Sequence, residues 1–379
     1  MAARHSQAIS VIVLAAGEGT RMRSARPKPL HLMCGRPMVL HVIHAFAELD
    51  VARTVVVVGH ASQQVMTTVR QQAPEWAHVS FVEQAVQRGT GDATIVGLGA
   101  INSGNMISEI DDTSTIVVMP GDTPLLRQST ISALVAEHES SGNAATLLTA
   151  FMDDPTGYGR IVRTKDDHIT KVIEERDASP EIRLINEVNT SIYAFRRDLL
   201  GPALRRISNN NSQSEYYLTD VVEVLASMGH RIGSHTTAQG EVVGVNDRWQ
   251  LAVAERELRS RTNRDWLLAG VTMFDPQQTF IDVTVTIGQD VTLFPGAIMQ
   301  GLTTIGDRCE IGPNTRIIDC TVERGAVLDN TVANQSHICA NAMVGPFAYL
   351  PPGSYVEEGR ITGSFYTGET KSRATGNHE

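Results

Sequence analysis

Between Ile281 and Val356, aliphatic side chains return every sixth residue. They fall at Ile281, Ile287, Leu293, Met299, Ile305, Ile311 and Ile317, then at Val332, Ile338, Val344, Leu350 and Val356. A hexapeptide period with an aliphatic residue at each corner predicts a parallel β-helix, in which each short strand stacks on the next coil. Ile-Gly or Val-Gly at 287, 305, 311 and 344 fits the corners of such a coil. Chance alternation in a β-sandwich is the competing reading, and twelve in-phase positions speak against it. The phase slips between Ile317 and Val332, which predicts a loop or an irregular corner there. Past Val356 the period is lost in EEGRITGSFYTGETKSRATGNHE, so residues 357–379 are expected to form a polar tail.

The first half of the chain follows another rule. Residues 9–14, ISVIVL, are a continuous β-branched and aliphatic run, the pattern of a parallel strand buried on both faces. Similar runs at 54–58 and 115–119 alternate with helical stretches at 37–49 and 130–139, which predicts an α/β, doubly wound Rossmann-like domain over residues 1–245. Ligands of such sheets bind at the carboxyl ends of the strands. Residues 144–200, with the strand candidates AATLLTAF, RIVRT and SIYAF, read as a mixed insertion covering the pocket. Residues 246–269 lack proline and glycine and place Glu255 four before Arg259, which predicts a connecting helix leading into the β-helix of 270–356.

Charge narrows the function. Asp plus Glu number 42 against 32 Lys plus Arg, a formal net charge of −10, which opposes a nucleic-acid partner. No apolar run reaches the roughly 18 residues of a membrane span, and MAARHSQAIS lacks the apolar core of a signal peptide, so the expected location is cytoplasmic and away from membranes. Cys34, Cys309, Cys320 and Cys339 include no C-x-x-C pair and are expected to be reduced, mostly buried thiols.

The chemistry concentrates in LAAGEGTRMRSARPK, residues 14–28, directly after the first strand. Gly17 and Gly19 let backbone N–H groups approach an anion, while Arg21 grips phosphate oxygens with its fork and Lys28, held between Pro27 and Pro29, adds a point charge. Met22 stands where a dinucleotide fingerprint needs its third glycine, and the Walker ending is absent. Asp122 in MPGDTPLL closes a buried strand, so its carboxylate must be paired, solvated or bound to metal.

L-A-A-G-x-G-T-R-M followed by P-K resembles the bacterial bifunctional N-acetylglucosamine-1-phosphate uridylyltransferases and glucosamine-1-phosphate acetyltransferases. The likeness runs from about Ile9 to Leu350 and implies that the β-helix is left-handed. It further implies uridylyl transfer from UTP to N-acetylglucosamine 1-phosphate for peptidoglycan and other cell-envelope precursors, with Mg²⁺ as cofactor and a homotrimer as the assembly. On this resemblance the nucleotide pocket comprises Leu14, Ala15, Ala16, Gly17 and Gly19, with Arg21 and Lys28 on the triphosphate and Gln84, Gly89 and Thr90 on uracil. Gln84 offers both a donor and an acceptor to a pyrimidine edge. Asp122 and Asn246 become metal ligands, and Asn246 also reads as the N-cap of the long helix. Gly159, Glu174, Asn189 and Asn246 are assigned to the sugar phosphate, and the block NNNSQSEYYLTD, 209–220, to its wall.

Two departures stand out. Tyr158 is retained, but Pro120 replaces a tyrosine often found before the Gly-Asp. In the acetyltransferase half the family pattern G-P-F-x-x-L-R-P-G reads GPFAYLPPG, with Pro351 in place of the arginine, and the only later histidine is His378. Acetyl transfer is therefore expected to be absent. The rivals are another sugar-1-phosphate nucleotidyltransferase, disfavoured by Ala16 where adenylyl and guanylyl enzymes usually carry glycine, and a non-catalytic β-helix scaffold.

Overall fold

The computed structural model describes residues 8–59, 61–103 and 114–369. They divide into one unit containing the chain up to His31 and Pro37–Leu251, and another containing Leu32–Arg36 and the chain from Ala252 onward.

In chain order the strands of the first half are β1 (Ile9–Ala15), the two-residue β2 (Leu32–Met33) and β3 (Arg36–Pro37), β4 (Val51–Val58), β5 (Val79–Glu83), β6 (Thr115–Pro120), β7 (Ala145–Phe151), β8 (Gly159–Arg163), β9 (Ile169–Ile173), β10 (Glu187–Arg196) and β11 (Ile232–Thr237). The main sheet runs β11-β7-β10-β6-β1-β4-β5, with β8 and β9 attached as a hairpin beside β10. Only β10 runs against its neighbours β6 and β7. The continuous apolar runs bury both faces as expected: Val11, Val13, Val56, Val58, Val117 and Met119 enter one core, and Ile12, Val55, Val57, Ile116 and Val118 the other. Helices Met38–His44, Ser62–Gln72 and Gln128–Ser141 cover the first face. Helices Thr90–Asn102, Arg197–Leu204 and Asp220–Ser227 cover the second.

The expected insertion at 144–200 is largely not one. Two of its three strand candidates lie within the main sheet as β7 and β10, and only RIVRT belongs to the attached hairpin. Thr146, Leu147, Leu148 and Ala194 are fully buried, so these strands need the sheet on both sides.

The second unit winds three parallel sheets of five short strands each, a left-handed β-helix. Inward side chains stack in columns, such as Ile281 on Met299 on Ile317. The next member of that column is Ala333, not Val332, which is 43% exposed. The slip is therefore no loop. Successive inward residues are six apart up to Ile317, then five apart at 317 to 322, 328 to 333 and 333 to 338, so three corners are each one residue short. Two residues before the inward positions sit small buried groups, among them Ala297, Thr303, Cys309, Thr315, Cys320, Ala326, Thr331 and Ser336. Their hydroxyls cap corner carbonyls, as Thr303 Oγ1 donates to Gln300 O at 2.7 Å. All four cysteines are free and buried, as their spacing predicted.

Residues 357–369 continue the coil where a polar tail was expected. The Thr362 N–H donates to Met343 O at 2.9 Å, the Gly368 N–H donates to Tyr349 O at 2.9 Å, and Phe365 stacks on Phe347 with ring centroids 5.3 Å apart. His378 lies outside the described residues. The long helix runs Arg248–Leu268, and its Asn263 Nδ2 donates to Pro276 O and Thr279 O of the first coil. Glu255 and Arg259 of this helix serve other partners: Glu255 accepts from the Cys34 N–H at 2.8 Å and Arg259 lies over the Phe280 ring. Among the described residues no helix is long and apolar enough to cross a membrane.

The corrected phase has a measurable consequence. Ile317→Ala should cost about 2–5 kcal/mol in denaturant unfolding of the β-helix, while Val332→Ala should stay within about 0.5 kcal/mol. Equal losses at the two positions would restore the strict six-residue count.

Candidate active site

Strand β1 ends at Ala15, and its Leu14 carbonyl accepts from the Gly121 N–H at 2.8 Å, which sets the Gly-Asp turn after β6 beside the glycine loop. The two loop glycines do different things. Gly19 has φ +63°, and a Cβ there would lie 2.6 Å from Lys28 Cβ, so only glycine lets the lysine stem pass. Gly17 is exposed with nothing within 4 Å of a Cβ, leaving its backbone open to a ligand. A single 3₁₀ turn, Lys28–Leu30, follows Pro27 and contains Pro29, which fixes the lysine's backbone as its flanking prolines predicted.

The side chains assigned to phosphate and to metal meet in one cluster. Lys28 Nζ donates to Asp122 Oδ2 and, at 2.8 Å, to Asn246 Oδ1. The same Asn246 oxygen accepts from the Arg21 guanidinium at 3.0 Å. Lys28 is 12% exposed and Asp122 28%, so the pair is only partly screened by water. Asn246 is not the helix cap: the Asp247 carboxylate accepts from the Gln250 N–H at 2.8 Å, while Gln250 Oε1 accepts from the Asn246 N–H at 2.7 Å. That exchange resembles a capping box and leaves the Asn246 side chain free to face the cations. The Val245 N–H donates to Asp122 O at 2.9 Å, so backbone as well as side chain joins the two segments.

The residues assigned to uracil form a second group. Gln84 is buried and its Nε2 donates to Asp92 at 2.8 Å and to Gly89 O at 3.3 Å. Gly89 has φ +106°, and a Cβ would come within 2.5 Å of Tyr216 O, so it packs against the 209–220 block. Thr90 Oγ1 accepts from the Leu218 N–H of the same block at 3.0 Å.

The sugar-side residues converge on β8 and β10. Asn189 is in register with Gly159, and a Cβ on Gly159 would sit 3.4 Å from Glu174 Oε2. Asn189 Nδ2 donates to the Tyr193 hydroxyl at 2.7 Å, whereas its buried Oδ1 has no partner. Glu174 accepts from Thr219 at 3.1 Å, and burial raises its carboxyl above the ordinary range. It lines an open cavity of about 460 Å³ together with Asp177, Tyr217 and Asp220. Block 209–220 therefore links Thr90 and Glu174 through its adjacent residues Leu218 and Thr219, a linking role its sequence did not reveal. Tyr158, beside Gly159, has its hydroxyl raised above the ordinary tyrosine range, first by burial and also by the charge of Asp122.

Three contributors escaped the sequence reading. Gln87 Nε2 donates to Ala16 O at 2.6 Å and joins the uracil-side loop to the glycine loop. Arg248 Nε donates to Met22 O at 3.1 Å, and Thr219 holds Glu174. Gln87 stands between Gln84 and Gly89, and Thr219 lies within the block 209–220 assigned to the sugar wall, so both were close to residues already singled out; Arg248 carries no local signal, because only the tertiary fold brings it to its partner.

Residues 11–207 match the family described as the MobA-like NTP transferase domain. The chain is 46% identical over 369 residues to the bifunctional protein GlmU of Streptomyces coelicolor, covering 97% of the chain and 74% of that relative. To the bifunctional protein GlmU of Mycobacterium tuberculosis it is 43% identical over 369 residues, 97% of the chain and 73% of the relative. For that of Caldanaerobacter subterraneus subsp. tengcongensis the values are 40% over 346 residues, 91% and 72%.

Asp220 gives the cavity a pH signature. Burial first, then the charges of Glu223 and Asp177, push its carboxyl up to about 6. Between the ordinary aspartate value of about 3.9 and that raised value the native state holds more protons than the unfolded chain, so stability falls as pH rises through this window. Asp220→Asn should therefore raise Tm near neutral pH and raise it less at about pH 4. A gain of equal size at both pH values would contradict the assignment.

Proposed function

Since the chain belongs to the GlmU family and carries a nucleotidyltransferase domain, we propose that it transfers the uridylyl group of UTP to N-acetylglucosamine 1-phosphate, giving UDP-N-acetylglucosamine and pyrophosphate. The observation that carries the reading is the convergence of Lys28, Arg21, Asp122 and Asn246 at the carboxyl ends of β1 and β6, beside a loop whose Gly17 is open to a ligand.

In this reading a phosphate oxygen of the sugar phosphate attacks the α-phosphorus of UTP, and the bond from that phosphorus to the bridging oxygen breaks. Pyrophosphate leaves with its charge, and no covalent enzyme intermediate is needed. Arg21 and Lys28 stabilise that charge. Gly17 and Gly19 supply backbone N–H groups to the triphosphate, and Leu14, Ala15 and Ala16 form the adjoining wall. Gln84, Gly89 and Thr90 meet the base. Gly159 meets the sugar through its backbone amide, with the Glu174 carboxylate and the unpaired Asn189 Oδ1 as acceptors for its hydroxyl and amide hydrogens.

Asp122 and Asn246 fit the family's Mg²⁺, because their hard oxygens already converge on one cation, the Lys28 ammonium. They are its proposed holders, and bound there it would neutralise phosphate charge. Lys28 is then freed from Asp122 and Asn246 to face the nucleotide.

The loss of acetyl transfer rests on Pro351. Its carbonyl accepts from the Ser354 N–H at 3.0 Å in a fixed corner, and proline offers neither the charge nor the fork that an arginine would bring to a phosphate. The homotrimer remains part of the proposal, supported by exposed apolar side chains on the β-helix, including Leu302, Phe347, Ile361 and Phe365.

The test is pyrophosphate release with N-acetylglucosamine 1-phosphate and Mg²⁺, comparing UTP with other nucleoside triphosphates, and thiol release from acetyl-CoA with glucosamine 1-phosphate on the same preparation. UTP should be preferred, Lys28→Ala should lower kcat/KM by roughly 10²–10³, and thiol release should be absent. Near-wild-type kcat/KM in Lys28→Ala would remove the phosphate role, and thiol release dependent on the sugar phosphate would overturn the reading of Pro351.

A further inference from the structure

One corner of the β-helix breaks the hexapeptide rule on its outer face. The inward residues Ile287, Ile305, Val322, Ile338 and Val356 stack in register. The residues that follow them read Gly288, Gly306, Glu323, Cys339 and Glu357. Glycine fills the first two coils, as expected after an inward aliphatic, and then a carboxylate and a thiol occupy the same column. His337 flanks Ile338 on the other side, so by strand alternation His337 and Cys339 face outward together.

The three ligand atoms of Glu323, His337 and Cys339 lie within 4.8 Å of one another, the only such group among the described residues. His337 Nε2 stands 2.7 Å from Glu323 Oε1, and Glu323 Oε2 accepts from the Ala340 N–H at 2.9 Å. The carboxylate is thus held by backbone on one oxygen and presents the other to the imidazole, an arrangement that orients a metal ligand. The hydrogen bond with His337 and that with Ala340 also hold its carboxyl below the ordinary value. The His337 ring lies 5.4 Å from Tyr355 of the following coil, which fixes the ring's plane. Glu323 and His337 are close to half exposed, whereas Cys339 is buried at 5%, so an ion could enter from solvent and reach the sulfur beneath.

We propose that Glu323, His337 and Cys339 form a binding site for a thiophilic divalent cation of the Zn²⁺ class, which clamps two successive coils of the β-helix. A carboxylate oxygen, an imidazole nitrogen and a thiolate select against Mg²⁺ and Ca²⁺. Three protein ligands leave a fourth position for water. Bonds of about 2.0–2.3 Å place tetrahedral ligand atoms about 3.5 Å apart, so small side-chain rotations convert the observed cluster into a coordination shell. The site owes nothing to Asp122 and Asn246, which offer oxygen alone.

Co²⁺ titration of the full, metal-stripped chain tests the site without reference to activity. A thiolate ligand gives a sulfur-to-cobalt charge-transfer band in the near ultraviolet, which oxygen donors at Asp122 cannot produce. One equivalent of Co²⁺ should generate the band, Zn²⁺ should displace it, and Cys339→Ser should abolish it while Cys309→Ala retains it. Should Cys339→Ser fail to fold, the half-exposed Glu323→Gln and His337→Gln decide, each weakening Co²⁺ by roughly tenfold or more with melting of the metal-free protein unchanged. Absence of the band at a large excess of Co²⁺, a band that survives Cys339→Ser, or full affinity in both Glu323→Gln and His337→Gln would overturn the proposal.

Discussion

A carboxylate at the end of a buried strand needs a positive partner, and the arrangement of the candidate active site follows from how Asp122 finds one. Lys28 reaches it because Gly19 leaves no Cβ in the path of the lysine stem, and because Pro27 and Pro29 fix the backbone from which that stem departs. Asn246 then accepts from Lys28 and Arg21 with one oxygen. Residues at 21, 28, 122 and 246 are thereby tied at a point of partial burial, where removing one partner of a charged pair costs more than at an exposed site, of the order of 3–5 kcal/mol when burial is complete.

The same interaction poises the site for ligands. A cluster in which an ammonium already occupies the space between two hard oxygens can exchange that cation for another while the lysine turns to an anion. The backbone is not asked to move, since Val245 holds Asp122 through its carbonyl and Gln250 holds the Asn246 N–H. Block 209–220 plays a comparable part on the other side, supporting Thr90 through Leu218 and Glu174 through the adjacent Thr219.

Much of this could be read from the chain because its causes are local. Runs such as ISVIVL and TVVVV bury both faces of a parallel sheet, and the hexapeptide period announces a coil. Where the reading failed, the cause was nonlocal or finer than the period. β7 and β10 looked like an insertion because polar turns separate the strand candidates, a pattern shared by surface hairpins and by strands that pair on both sides. Val332 matched the count of six, yet shortened corners moved the inward position to Ala333, whose small side chain carries a weak signal. Residues 357–369 appeared polar because a coil needs only a few inward or stacked groups, here Phe365 on Phe347 and Tyr366 against the core. Asn246 passed for a helix cap because Asp247, next to it, is an equally good one.

In the proposed reaction Lys28 and Asp122 act as one unit in the transfer of a nucleotidyl group. A double-mutant cycle of Lys28→Ala and Asp122→Asn on kcat/KM with UTP measures this directly. Strong non-additivity is expected, with the double variant little worse than the poorer single variant, because either change dismantles the same cluster. Losses that simply multiply would show that the two side chains act independently, and would contradict it.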